Sequence, residues 1–217
     1  MQDHVTVTGM IIKAVPMGEY DRRIVLLTKE RGKISAFVKG ARRQNSRFVA
    51  STNLFCFGTF RLYEGRTSYS LQDAEISNYF EDLRNDFEGA YYGMYFLEIA
   101  DYYCRENNDE KEMLKLLYQS LRALLSSSIP HKLTRCIFEI KAVAVNGEFP
   151  GVPESDELLN ATKYTISYIL DSKTERLYTF AVTEEVLAQL DKFATTMAKK
   201  CMDGHFNSLS VLQTISG

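Results

Sequence analysis

Near residue 77 the hydrophobic repeat of this 217-residue chain changes from two residues to about 3.6, so a β part and a helical part must share one polypeptide. Upstream of the change, "HVTVTGMIIKAV" (4–15), "RRIVLLT" (22–28), "KISAFVK" (33–39), "FGTFRLYE" (57–64) and "TSYSLQDAEI" (67–76) are short stretches rich in β-branched and aromatic residues. Turn signals separate them, among them Pro16-Met17-Gly18, Arg31-Gly32 and Gly65. Five strands in so short a span predict a small Greek-key barrel, the OB architecture, over residues 1–78. The aromatics Phe37, Phe55, Phe57, Phe60 and Tyr63 are expected in its core, following the burial habit of large rings.

Downstream, "DFEGAYYGMYFLEIADYYC" (86–104) is apolar nearly all round and reads as a central helix packed on several sides. Asp109 with Glu112 makes a capping box before the stripe Met113, Leu116, Leu117, Leu121, Leu124 and Leu125. Pro130 opens a third helix that Asn146-Gly147 stops, and Thr183 with two glutamates opens a fourth that ends at Lys199 and Lys200. Between those two, "YTISYILDSKTERLYTFAV" (164–182) alternates around a polar centre and predicts a β-hairpin held by Tyr164, Ile166, Ile169, Leu177, Tyr178 and Phe180. The expected class is α+β: an OB barrel over 1–78, then an all-helical domain over 79–217 that carries the hairpin.

The net charge of −2 hides an asymmetry. Residues 1–80 hold twelve basic against seven acidic side chains, a net +5, whereas residues 81–217 carry −7. From Arg22 to Arg47 there are nine basic residues and one acid, Glu30, and "KGARRQNSRF" (39–48) reads as a loop leaving the third strand. A partner with repeated negative charge is the simplest reason to concentrate such self-repulsion, which puts nucleic acid first. The expected contacts are Arg22, Arg23, Lys33, Lys39, Arg42, Arg43 and Arg47 to phosphates, with Phe48 or Tyr20 stacked on a base. Against this stand three other readings: solvated strand edges, an interaction scaffold whose basic loop receives an acidic peptide, and an RNA-binding OB module.

Catalytic chemistry leaves no motif. His4, His131 and His205 fall in no HxxxH, HxE or nucleophile-elbow context, and the chain has neither a P-loop nor a GxGxxG, so no catalytic residue is assigned. Glu98 and Asp101 share a helix face at i, i+3, where a hydrogen-bonded or surface role is expected over a metal site. Cys56, Cys104, Cys136 and Cys201 lie 48, 32 and 65 residues apart, which suits neither a disulfide framework nor a metal knuckle and predicts reduced thiols. With no window of about 18 apolar residues and no signal-peptide pattern, a cytoplasmic protein is expected.

Residues 9–48, "GMIIKAVPMGEYDRRIVLLTKERGKISAFVKGARRQNSRF", resemble the N-terminus of the bacterial RecO family of DNA repair and recombination mediators. The resemblance lies in a G-x-I/V-L start, a G-E-x-D-R loop, a T-x-x-x-G strand turn and a K-G-x-R-R/K-x-x-S-R-F run. It continues through "EGRTSYSLQDAEI" (64–76) to "NGEFP" (146–150). It implies an OB domain followed by helices, binding of single- and double-stranded DNA, and annealing of complementary strands. It also implies RecA loading together with RecR and the single-stranded-DNA-binding protein SSB, whose acidic, apolar tail would dock on the helical part, and a place at the nucleoid. The family's basic surface would fall on Arg22, Arg23, Lys39, Arg42, Arg43 and Arg47. One departure is plain: many members carry two CxxC pairs after the N-G-x-x-P segment, forming a zinc ribbon, and residues 151–200 contain no cysteine here. The hairpin at 164–182 is expected in the ribbon's place, with no metal and no cofactor.

Overall fold

Alternation of apolar and polar residues in the first eighty positions leaves each strand one face to bury, and closing the sheet on itself buries all of them at once. The computed structural model describes residues 3–66, 68–153 and 158–215. Strands β1 (Asp3–Met17), β2 (Asp21–Thr28) and β3 (Gly32–Val38) lead to a short helix, α1 (Phe48–Ser51), and then to β4 (Phe57–Glu64) and β5 (Tyr69–Asn78). They close in the order β1-β2-β3-β5-β4, the OB arrangement predicted from the strand pattern. All ladders are antiparallel except β3–β5, which is parallel and holds by two registered pairs, Ala36↔Tyr69 and Phe37↔Ser70. Val7, Ile11, Ile24, Leu26, Ile34, Val38, Phe60 and Leu62 fill the interior.

β1 serves two neighbours, pairing β4 through residues 3–10 and β2 through residues 9–17, with a register shift between Ile11 and Lys13. Gly9 sits where the two ladders overlap, and a Cβ there would lie 2.3 Å from the Leu27 carbonyl oxygen. That approach admits only glycine.

The helical stretch comprises α2 (Glu81–Asn85), α3 (Phe87–Tyr103), α4 (Lys111–Leu124), α5 (His131–Val145), α6 (Asn160–Asp171), a 3₁₀ turn at Thr174–Arg176, α7 (Glu184–Cys201) and α8 (Asn207–Ile215). α5 is buried along most of its length and packs against α6 and α7, with Phe138 stacked on Phe96 at 4.2 Å between ring centroids. The Thr183 hydroxyl caps α7 by accepting from the Val186 amide at 3.3 Å, and Gly147 at φ +76 lies just past the end of α5. Contacts gather the chain into two compact units, Met1–Glu81 with Ala100–Leu114, and Asp82–Ile99 with Lys115–Gly217.

Two expectations need correction. Residues 160–171 form a helix, and residues 174–176 form a 3₁₀ turn where the hairpin would have turned into its second strand. Thr162, Thr165, Ile166 and Ile169 make a buried stripe at helical spacing, and Lys141 Nζ closes the helix end by donating to the carbonyls of Leu170 and Ser172 at 2.6 and 2.9 Å. Packing on α5 and α7 overrides the strand preference of the β-branched and aromatic residues. The second correction is Phe37. Phe55 and Phe60 are buried, but Phe37 is 41% exposed, because Ile34, Ala36 and Val38 take the inward positions of β3 and parity sends residue 37 outward.

Candidate nucleic-acid interface

The basic loop is held by hydrogen bonds to the turn between β1 and β2 and to the first residue of β2. The Gly40 amide donates to Asp21 Oδ1 at 2.7 Å, the Arg42 amide to the Tyr20 carbonyl at 2.8 Å, and Arg42 Nη1 to the Gly18 carbonyl at 3.3 Å. Gly40 adopts φ +66, the left-handed turn that lets the chain double back. This stitching brings Tyr20, Arg42 and Arg43 together: the Arg43 guanidinium carbon lies 5.3 Å from the Tyr20 ring centroid, and Tyr20 is 44% exposed. Lys39, Arg42 and Arg43 are all exposed, and none has a carboxylate partner among the described residues.

The other expected contacts divide by what they touch. Arg22 has the inward parity of β2 at the barrel's end, where Nη1 donates to the Thr52 carbonyl, the Thr52 hydroxyl and Asn53 Oδ1 at 2.8, 2.9 and 3.1 Å. Burial, with the charge of Arg42 beside it, pulls its pKa below the usual arginine value. Lys33 donates from Nζ to Asp101 Oδ1 at 2.9 Å and to the Asp101 carbonyl, which ties β3 to the Ala100–Leu114 segment. Arg47 is exposed yet leashed to β5, through the Gln72 carbonyl and Asp73 Oδ1, the latter at 3.5 Å. Its guanidinium carbon lies 4.8 Å from the Phe48 ring centroid, and Phe48 packs against the barrel core. Arg22, Lys33 and Phe48 therefore build the barrel, while Arg23, Lys39, Arg42 and Arg43 point charge outward.

Two residues outside the set expected from the sequence share a cleft with one member of it, Arg23. Phe37 faces Arg23 across the β2–β3 ladder, and Arg66 stands in the turn between β4 and β5. Both line a cleft of about 590 Å³ with Arg23, Ser35, Tyr69 and Glu106. Strict alternation along "KISAFVK" would have shown Phe37 outward; nothing in the sequence joins Arg66 to it, because their proximity arises from the β3–β5 pairing.

Among the described residues no group of three or more His, Cys, Asp or Glu side chains is placed to hold a metal. Glu98 accepts from the Ser208 amide and hydroxyl, and Asp101 from Lys33, so the two carboxylates serve separate structural bonds. Cys56, Cys104 and Cys136 are buried thiols and Cys201 is half-buried; none is in a disulfide. No helix of the described residues is long and apolar enough to cross a membrane.

Comparison with known proteins matches this arrangement. A family model described as Recombination protein O N terminal matches residues 1–80, and one described as Recombination protein O C terminal matches residues 84–152. A curated DNA repair protein RecO from Acetivibrio thermocellus is 28% identical over 98% of both chains. One from Clostridium novyi is 32% identical over 64% of this chain and 54% of its own length. Another, from Clostridium perfringens, is 24% identical over 95% of this chain and 96% of its own. The N-terminal match spans the barrel and every cation of its loop.

Proposed function

This chain belongs to the RecO family of DNA repair proteins, and from that membership we propose that it binds single- and double-stranded DNA through residues 1–78 and promotes pairing of complementary strands. The observation that carries the reading is the stitched loop, which holds Lys39, Arg42 and Arg43 exposed on a closed barrel and without carboxylate partners among the described residues. Rooted in this way, the three cations form a preorganised phosphate-binding surface that need not be ordered on contact.

Annealing requires no bond to be made or broken. Two strands repel through their phosphates, and a surface that neutralises several of them lowers the barrier to pairing while leaving the bases to find their complements. Contacts made to the backbone carry no sequence information, so the reading includes weak sequence preference. It assigns no catalytic residue and places the protein in the cytoplasm at the nucleoid. RecR, the SSB tail and RecA are its partners by family membership, with residues 79–217 as the part that meets SSB.

The test is anisotropy of a fluorescent single-stranded oligonucleotide titrated across a salt series. Wild type should bind with a steep negative dependence on salt, and Lys39→Ala/Arg42→Ala/Arg43→Ala should lose about 2 from the logarithmic slope, at about 0.7 per phosphate contact. Strand pairing, followed by energy transfer between labelled complements, should slow in the same variant. Salt-independent binding, or identical slopes, would remove DNA from the loop.

A further inference from the structure

Phe37 is a large apolar ring kept in water on a strand whose other bulky side chains are buried. Its surroundings are ordered. Val15, Arg23 and Phe37 are registered neighbours across β1, β2 and β3, and all three are exposed. Beside them lies the seam where β3 and β5 meet by only two pairs, and there the cleft of about 590 Å³ opens, within the range of small-ligand sites at roughly 300–1,000 Å³.

The charges in the cleft decide what suits it. Glu64 is paired with Arg31 at 3.3 Å and accepts from the Tyr69 hydroxyl at 3.4 Å, so Glu106 is the carboxylate that faces Arg23 and Arg66 in the lining. The cleft offers the flat ring of Phe37 and, in Glu106, a carboxylate that accepts from amino groups, which suits a nucleobase, with its π-face on Phe37 and its polar edge on the wall; the Ser35 hydroxyl is already engaged, accepting from Arg23 Nε at 2.8 Å. Arg23 and Arg66 bring two guanidinium groups to the same lining, a chemistry that suits phosphates next to such a base. A paired base cannot enter, since its faces are already covered by its neighbours in the duplex.

We propose that this cleft holds one unpaired base of a bound strand, stacked on Phe37, and is the part of the surface that tells single strands from duplex. The proposal rests on the DNA-binding reading above and divides its labour: loop cations take phosphates of either form, and the cleft takes only a base that is free of its partner.

The chain contains no tryptophan, so Phe37→Trp places a sole indole in the cleft. Wild type, Phe37→Trp and Phe37→Ala are titrated with a single-stranded oligonucleotide, an abasic oligonucleotide of equal length and a duplex. The indole should be quenched by the single strand and far less by the abasic strand or the duplex. Phe37→Ala should weaken single-strand binding about 5- to 150-fold, the range for one lost stacking contact, with duplex affinity and salt slope unchanged. An outward side chain leaves the barrel interior intact, and an unaltered melting temperature of Phe37→Ala checks this. Equal single-strand affinity of Phe37→Ala and wild type, or equal quenching by the abasic strand, overturns the cleft while leaving the loop's DNA binding in place. Absence of salt-dependent binding by wild type overturns the DNA reading and the cleft with it.

Discussion

Arg135 shows at the scale of one side chain why the cations of this protein fall into two kinds. Its buried guanidinium donates to Glu139 at 3.1 and 3.2 Å and to Asp191, while the Tyr95 hydroxyl donates to the same Glu139 at 2.7 Å. Burial raises the Glu139 carboxyl above the usual carboxylate range, and the Arg135 charge opposes that rise. Arg135→Met removes the opposition and leaves a buried carboxylate unpaired, so chemical unfolding at pH 8 should show a loss of about 3–5 kcal/mol. A carboxyl whose folded pKa exceeds its unfolded value binds more protons when folded, so the variant should regain stability as pH falls from 8 towards 5. A loss that is the same at both pH values would exclude protonation of Glu139 as its origin. Lys39 is the opposite kind of cation: exposed, with no carboxylate partner among the described residues, and available to a ligand.

At the scale of elements, α6 is the place where local pattern and tertiary packing disagree. Tyr164 is 71% exposed in the middle of that helix, so Tyr164→Ala should be nearly neutral while Tyr164→Pro should cost about 3 kcal/mol or more and reduce helical circular dichroism. The barrel strands were legible because each buries alternate residues around one interior, and that periodicity survives in any register. The helix caps at Thr183 and Asn146-Gly147 were legible for a similar reason, since a helix end is satisfied by residues next to it in sequence. α6 was not, because Thr, Ile and Tyr favour strands until α5 and α7 are present to pack on. The site was half legible: the run of cations announced itself, but which of them are consumed by structure depends on distant partners. Arg22 meets Thr52 and Asn53, and Lys33 meets Asp101, sixty-eight positions away. Phe37 needed only the parity of its strand, whereas the grouping of Ala100–Leu114 with the barrel had no local sign at all.

Along the sequence the charge of the whole molecule is divided, +5 in residues 1–80 and −7 in the remainder, but the acidic Ala100–Leu114 segment that groups with the barrel cancels most of the excess, so the positive charge is a local property of the loop. The isoelectric point of the chain is near 6.0, so at pH 7.5 a uniformly charged particle of this composition would be repelled by polyanions. Concentration of the cations on one loop predicts otherwise: the protein should be retained on immobilised heparin at pH 7.5, and Lys39→Ala/Arg42→Ala/Arg43→Ala should elute at distinctly lower salt. Co-elution of the two proteins would mean that the loop contributes nothing to polyanion contact. The two-pair ladder between β3 and β5 has a mechanical consequence as well. A closed ring of strands is as tight as its weakest join, and the other four joins of this one are held by seven or eight registered pairs each. Thermal opening of the ring is therefore expected to start beside Phe37, at the join held by the fewest registered pairs.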